Sequence, residues 1–268
     1  MSNSPIGVFD SGVGGLSVLA ALQAELPGER FVYFSDGAHA PYGERGDAFV
    51  IERTLDIARQ LVEAHGIKAL VVACNTATAA AIGLLRAAYP DLPLVGVEPA
   101  LKPAAAATRT GHVGVLATRG TLASGKFKAL HDGLKTDRVR FSLMPCDGLA
   151  GAIERLDETA IQTLAAKYVG ALGRFGHAPG EIDTLVLGCT HYPFIAADLQ
   201  RLAGEPVRLI ETGQPVAQQA RRLLAAKGQL AVGGSSGSLQ LLTSGDASAL
   251  DAAAGRWLQV GAGAVALG

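Results

Sequence analysis

Short apolar runs alternate along the chain with longer segments whose apolar positions recur three and four residues apart. The runs at 6–9, 31–34, 69–73 and 94–97 predict strands, and 14–26, 47–65 and 76–89 predict the helices between them. After Pro99 the rhythm restarts. Strands are predicted over 113–116, 139–143, 184–188 and 207–210, with helices over 121–131, 159–175 and 193–203. Strand–helix alternation of this kind predicts an α/β fold built on mostly parallel sheet with flanking helices.

The restart is an internal repeat. Ile6-Gly7-Val8-Phe9-Asp10-Ser11 resembles Val113-Gly114-Val115-Leu116-Ala117-Thr118 at an offset of 107 residues. Ile67-Lys68-Ala69-Leu70-Val71-Val72-Ala73-Cys74 resembles Ile182-Asp183-Thr184-Leu185-Val186-Leu187-Gly188-Cys189 at an offset of 115. Two matches in the same order at nearly the same spacing predict two pseudo-symmetric lobes with an active site between them. The expected boundaries are 1–98 completed by 212–268 for the first lobe and 99–211 for the second. The tail follows a different pattern. Residues 228–237 are rich in Gly and Ser and predict a loop, 239–243 a strand, and 246–258 a helix with Asp246 or Ser248 near its N-cap. The tail is expected to pack back on the first lobe.

Composition narrows the functional classes. At 268 residues and 49% hydrophobic, the chain can bury one large α/β core or two smaller ones. A formal net charge of −1, without a Lys/Arg run, argues against a nucleic-acid or anionic-membrane surface. Three cysteines, an odd number, do not make a secreted disulfide framework and suit a reducing cytoplasm. The N-terminus has no basic and apolar leader, and no apolar stretch reaches the ~20 residues that span a bilayer.

The candidate chemistry lies where predicted strands end. Asp10-Ser11-Gly12-Val13-Gly14-Gly15-Leu16 runs from a strand into a helix, where glycines permit a tight turn and expose amides to a carboxylate or phosphate. It matches neither a P-loop nor G-x-G-x-x-G, and a structural turn capped by Asp10 is the alternative. Pro41-Tyr42-Gly43 can close over a ligand with its amides or serve as a plain turn. A single buried cysteine is usually packing. Two cysteines at repeat-equivalent strand ends, Cys74 and Cys189, point instead to function, since parallel sheets build their sites at carboxyl ends and helix N-termini there stabilise thiolate. Asn75, Thr76 and Thr190 add short polar groups, and His191 can poise Cys189 as acid or base. Cys146 has no repeat partner and reads as a packed spectator. With no close Cys-x-x-Cys or His-x-x-His pair, no metal site is expected. Glu154, on sequence alone, reads as an ordinary surface acid.

Taken together, the glycine string, Pro41-Tyr42-Gly43, Ala73-Cys74-Asn75-Thr76-Ala77 and Leu187-Gly188-Cys189-Thr190-His191-Tyr192-Pro193 resemble the glutamate racemases, cofactor-independent members of the aspartate/glutamate racemase superfamily. The resemblance runs in order from about residue 6 to about residue 213. It implies that one cysteine takes the α-proton of glutamate while the other, as a thiol, returns one to the opposite face. Cys74 would act on D-glutamate with help from Asp10, and Cys189 on L-glutamate with help from His191. Asp10, Ser11, Pro41, Tyr42, Gly43, Asn75, Thr76, Thr118, Thr121, Thr190 and His191 would bind substrate, and Glu154 would stand near the catalytic residues. The chain departs from the family in carrying Pro145-Cys146 where Cys-Pro is common. The resemblance implies no cofactor and a D-glutamate supply for peptidoglycan. A homodimer is the default expectation. Aspartate or hydantoin racemases, and a non-catalytic amino-acid binding protein, remain as alternatives.

Overall fold

The computed structural model describes residues 3–232, 236–258 and 263–267. The chain divides into two compact units, Met1–Val97 with Gly213–Gly268, and Glu98–Thr212.

In the first unit β1 (Ile6–Asp10), α1 (Leu16–Glu25), β2 (Arg30–Ser35), α2 (Asp47–His65), β3 (Ala69–Val72), α3 (Asn75–Ala88) and β4 (Leu94–Gly96) follow one another. The second unit contains α4 (Leu101–Ala107), β5 (His112–Ala117), α5 (Arg119–Ala123), α6 (Gly125–Leu134), β6 (Arg140–Pro145), α7 (Leu149–Glu154), α8 (Glu158–Leu172), β7 (Thr184–Gly188), α9 (Ala196–Ala203) and β8 (Arg208–Ile210). The chain then returns to the first unit through α10 (Gly213–Ala226), β9 (Ser238–Thr243), α11 (Ala247–Leu258) and β10 (Val265–Ala266). One sheet has the order β10-β9-β2-β1-β3-β4 and the other β6-β5-β7-β8. Every pairing in both is parallel. The central strands β1, β3 and β7 are buried along their whole length, which is why they read as unbroken apolar runs.

The repeat extends into register and packing. Through the two offsets, β2-β1-β3-β4 maps onto β6-β5-β7-β8. Ile6 pairs with Ala69 as Val113 pairs with Thr184, and Phe9 with Val72 as Leu116 with Leu187. Gly7 and Gly114 occupy matching places for the same reason. A Cβ on Gly7 would stand 2.9 Å from Ile67 Cδ1, and one on Gly114 would stand 3.3 Å from Ile182 Cγ2.

Several elements differ from the sequence expectation. The helix expected over 121–131 is two helices, because Ser124 is extended and its hydroxyl caps α6 by accepting from Phe127 N at 3.1 Å. The segment expected as one helix over 193–203 opens with a 3-10 turn, Tyr192–Ile195, before α9 begins. The helices α4, α7 and α10 fall where none is expected. Of the loop expected over 228–237, residues 233–235 lie outside the described residues. Asp246 accepts from Ser248 N at 2.8 Å at the start of α11.

At the amino ends of the strands, Lys68 Nζ meets Glu29 Oε2 at 2.5 Å with both side chains buried. Lys68 also donates to Gln229 O at 2.8 Å, and Ala231 N donates to Glu29 Oε1 at 2.7 Å. The ion pair thereby fastens the segment after α10 to the start of β3. Among the described residues no helix is long and apolar enough to cross a membrane.

Candidate active site

Each sheet places one cysteine at its carboxyl edge, immediately after the third strand of the repeat. In the first unit Cys74 leaves β3 in an extended conformation and caps α3, its sulfur accepting from Ala77 N at 3.4 Å. A sulfur at the N-terminus of a 14-residue helix lies in the positive end of the helix dipole, which favours thiolate. The thiol also reaches Ser11 Oγ at 3.7 Å across the gap between β3 and β1. Asp10, at the end of β1, is fully buried and accepts from Gly15 N at 2.6 Å. The glycine is required there, because a Cβ would lie 2.6 Å from Asp10 Cβ. Asn75 donates to Val97 O at 3.4 Å, and Asn75 and Thr76 are both buried.

Pro41, Tyr42 and Gly43 enter a short 3-10 turn after β2. Tyr42 is fully buried, and its phenol donates to Asp36 Oδ2 at 2.5 Å. Sequence reasoning passes over Asp36, which proves to be the hub of this corner. Arg53 from α2 grips it with Nε at 3.0 Å and Nη2 at 2.8 Å, Ser244 donates at 2.6 Å, and His39 lies 3.0 Å away. Burial alone would raise the Asp36 pKa, but these partners outweigh it and hold the carboxyl at about 2. Tyr42 is pushed the other way by burial and by the Asp36 carboxylate, so it stays a phenol. The signal available in the sequence was an acid at the carboxyl end of a central strand. Its partners lie up to 208 residues away.

In the second unit Cys189 follows β7, and its sulfur lies 3.7 Å from His191 Nδ1. His191 Nε2 in turn meets Glu154 Oε2 at 2.6 Å. Glu154 is therefore not the ordinary surface acid its sequence context suggests. It ends α7 with its side chain 20% exposed and pointing at an imidazole. Burial alone would lower the His191 pKa, but the bonds to Cys189 and Glu154 prevail and hold it well above its usual range. Thr118 caps α5, accepting from Thr121 N at 3.2 Å and donating to Thr121 Oγ1 at 2.9 Å. Thr190 is buried. Arg119, at the start of α5, and Asp147, in the loop after β6, form an exposed ion pair.

Cys146 follows β6 directly, its amide donating to Ala117 O at 2.9 Å and its thiol to Met144 O at 3.4 Å. Burial pushes this thiol up to about 12, so it stays protonated and packs. Tyr192, which sequence reasoning uses only as part of a motif, is a fully buried phenol in the same core cluster as Cys146 and Cys189. Burial, then the charge of Cys189, raises its pKa strongly. Among the described residues no group of three or more His, Cys, Asp or Glu side chains is placed to hold a metal ion.

The family described as Asp/Glu/hydantoin racemase matches residues 11–220 of the chain. A glutamate racemase of Pseudomonas entomophila (strain L48) is 52% identical over 233 residues, 86% of this chain and 85% of that one. Among solved structures, glutamate racemase isoform RacE1 from Bacillus anthracis superposes with a TM-score of 0.87 at 32% identity, covering 100% of this chain and 98% of that one. A glutamate racemase from Francisella tularensis subsp. tularensis SCHU S4, in complex with D-glutamate, gives 0.83 at 26% identity, again covering 100% and 98%.

Proposed function

The chain belongs to the Asp/Glu/hydantoin racemase family, and from that membership we propose that it interconverts L- and D-glutamate without a cofactor, using Cys74 and Cys189 as its two acid–base groups. The observation that carries this reading is the pair of buried thiols at repeat-equivalent strand ends, each beside a different polar assistant.

Inverting a carbon centre by proton transfer needs a base on one face and an acid on the other. With D-glutamate, Cys74 as thiolate takes the α-proton, the C–H pair stays on the carbon and spreads into the carboxylate, and an S–H bond forms. Cys189 as thiol then gives its proton to the opposite face and becomes thiolate, so the enzyme is left ready for L-glutamate. A thiolate is a weak base for so weak an acid. The barrier must fall through fixed dipoles and excluded water, which the helix N-terminus of α3 and the buried polar groups Ser11, Asn75, Thr76 and Thr190 are suited to supply. Asp10 assists Cys74, and His191, charged and backed by Glu154, assists Cys189. Tyr42 contributes through its main chain and Gly43, because its hydroxyl is committed to Asp36. Thr118 and Thr121 complete the substrate contacts. A role in supplying D-glutamate for peptidoglycan, a cytoplasmic setting and a homodimer belong to the same proposal.

The test is α-proton exchange in deuterated water with L- and D-glutamate, on the wild type and on Cys74→Ala and Cys189→Ala. Wild type should produce the opposite enantiomer carrying deuterium, and each variant should stop racemising. Normal racemisation by both variants would end the two-thiol reading. The same assay with aspartate separates a glutamate enzyme from an aspartate one.

A further inference from the structure

The loop that carries Ser11 is held by a residue to which the roles above give no part. Tyr33, on β2, is fully buried, and its phenol donates to Gly12 O at 2.6 Å. The same hydroxyl limits what can stand at Gly15, where a Cβ would come within 2.9 Å of Tyr33 Oη as well as 2.6 Å of Asp10 Cβ. Gly15 N is the donor that orients Asp10, and Ser11, between Asp10 and Gly12, is the group that Cys74 reaches. One phenol thus fixes the carbonyl next to the Cys74 partner and packs against the glycine whose amide aims Asp10.

The internal repeat supplies a built-in comparison. Tyr33 pairs with Val8, and the matching position, opposite Val115, is Leu143. β2 is covered on its outer side by β9, which lets it bury a large ring, whereas β6 is an edge strand and Leu143 is 36% exposed. The loop after β5 is closed by its own residues, with Thr118 capping Thr121. At this place in the repeat, therefore, the Cys74 side has a phenol where the other unit has Leu143.

We infer that Tyr33 is a positioning residue for the Cys74 half of the reaction. Its hydroxyl holds the 10–15 loop so that Asp10 and Ser11 meet Cys74 in the geometry proton transfer requires. The inference rests on the two-thiol reading for its kinetic consequence, but not for the placement of the loop.

Tyr33→Phe tests it, beside wild type and Tyr168→Phe. Tyr168 donates to Asp147 O at 2.6 Å, so its variant removes the same kind of bond from a loop of the other unit. In Tyr33→Phe, kcat should fall about tenfold with KM nearly unchanged, as expected for a bond that orients rather than binds. The α-deuterium isotope effect should grow for D-glutamate, whose proton Cys74 takes, and shrink for L-glutamate. Tyr168→Phe should not give that opposed pattern. Independently of activity, the iodoacetamide labelling rate of Cys74, read against Cys189 in the same sample by peptide mass spectrometry, should rise about tenfold in Tyr33→Phe once the loop is released. An unchanged labelling ratio, or isotope effects that move equally for both enantiomers, overturns the inference. A wild type that does not racemise glutamate overturns the two-thiol reading instead.

Discussion

At the scale of single side chains, the two thiols are served by unlike electrostatics. Cys74 meets a neutral hydroxyl and a helix amide, whereas Cys189 meets an imidazole that a carboxylate keeps charged. His191 has a folded-state pKa raised above 6.5, so its contribution is fully present below that value and is lost as pH rises through the folded one. Glu154→Gln should let the imidazole lose its proton at lower pH. The alkaline limb of the pH–rate profile should move down, and kcat should drop about 10- to 100-fold, the scale of a charge-assisted hydrogen bond. An unchanged alkaline limb would mean that Glu154 does not hold that proton. Enantiomers have equal free energy in water, so kcat/KM must remain equal for them in every variant, and asymmetry appears only in kcat and KM separately. Asp36 works with the opposite sign. Its pKa falls from 3.8 to about 2, so its stabilisation of about 2 kcal/mol is present above pH 4 and is lost as pH falls through 2. Arg53→Gln should raise the midpoint of acid unfolding, followed by circular dichroism.

At the scale of elements, matching glycines give the repeat a mechanical test. Gly7→Ala should cost about 1–3 kcal/mol in urea unfolding, because the new methyl meets Ile67 Cδ1 at 2.9 Å. Ile67→Val removes that carbon and should recover part of the loss. At Gly114 the nearest atom is Leu185 Cδ1 at 3.0 Å, and Ile182 presents Cγ2, which valine keeps. Ile182→Val should therefore rescue Gly114→Ala much less. What the sequence makes legible follows the same logic. Central strands stand out because burial on both faces leaves continuous apolar runs, and the thiol junctions stand out because composition changes sharply where β3 and β7 end. The helix α10 is missed although its buried positions Val216, Ala217, Ala220 and Leu224 have helical spacing; it opens on Gly213 and Pro215, two residues of low helix propensity. The split at Ser124 depends on one hydroxyl choosing a cap. The Asp36 hub, the Glu154–His191 contact and the Tyr33 anchor are long-range pairings with no local pattern.

At the scale of the whole molecule, the buried Lys68–Glu29 pair holds the returning chain to the first unit. Lys68→Met should cost about 3–5 kcal/mol, because it strands a buried carboxylate, and adding Glu29→Leu should restore much of that. Chemical denaturation of the single and double variants measures both. The return itself governs the order in which the protein can be completed during synthesis. Glu98–Thr212 is one continuous stretch, whereas the first unit needs β9, which pairs with β2. The part made first therefore closes last. β2 emerges early and keeps an open parallel edge until residues 238–243 leave the ribosome, by which time the other unit has long been whole. Tyr33 sits on that waiting strand, so the Cys74 side of the enzyme is finished only after the unit that carries Cys189 has been made.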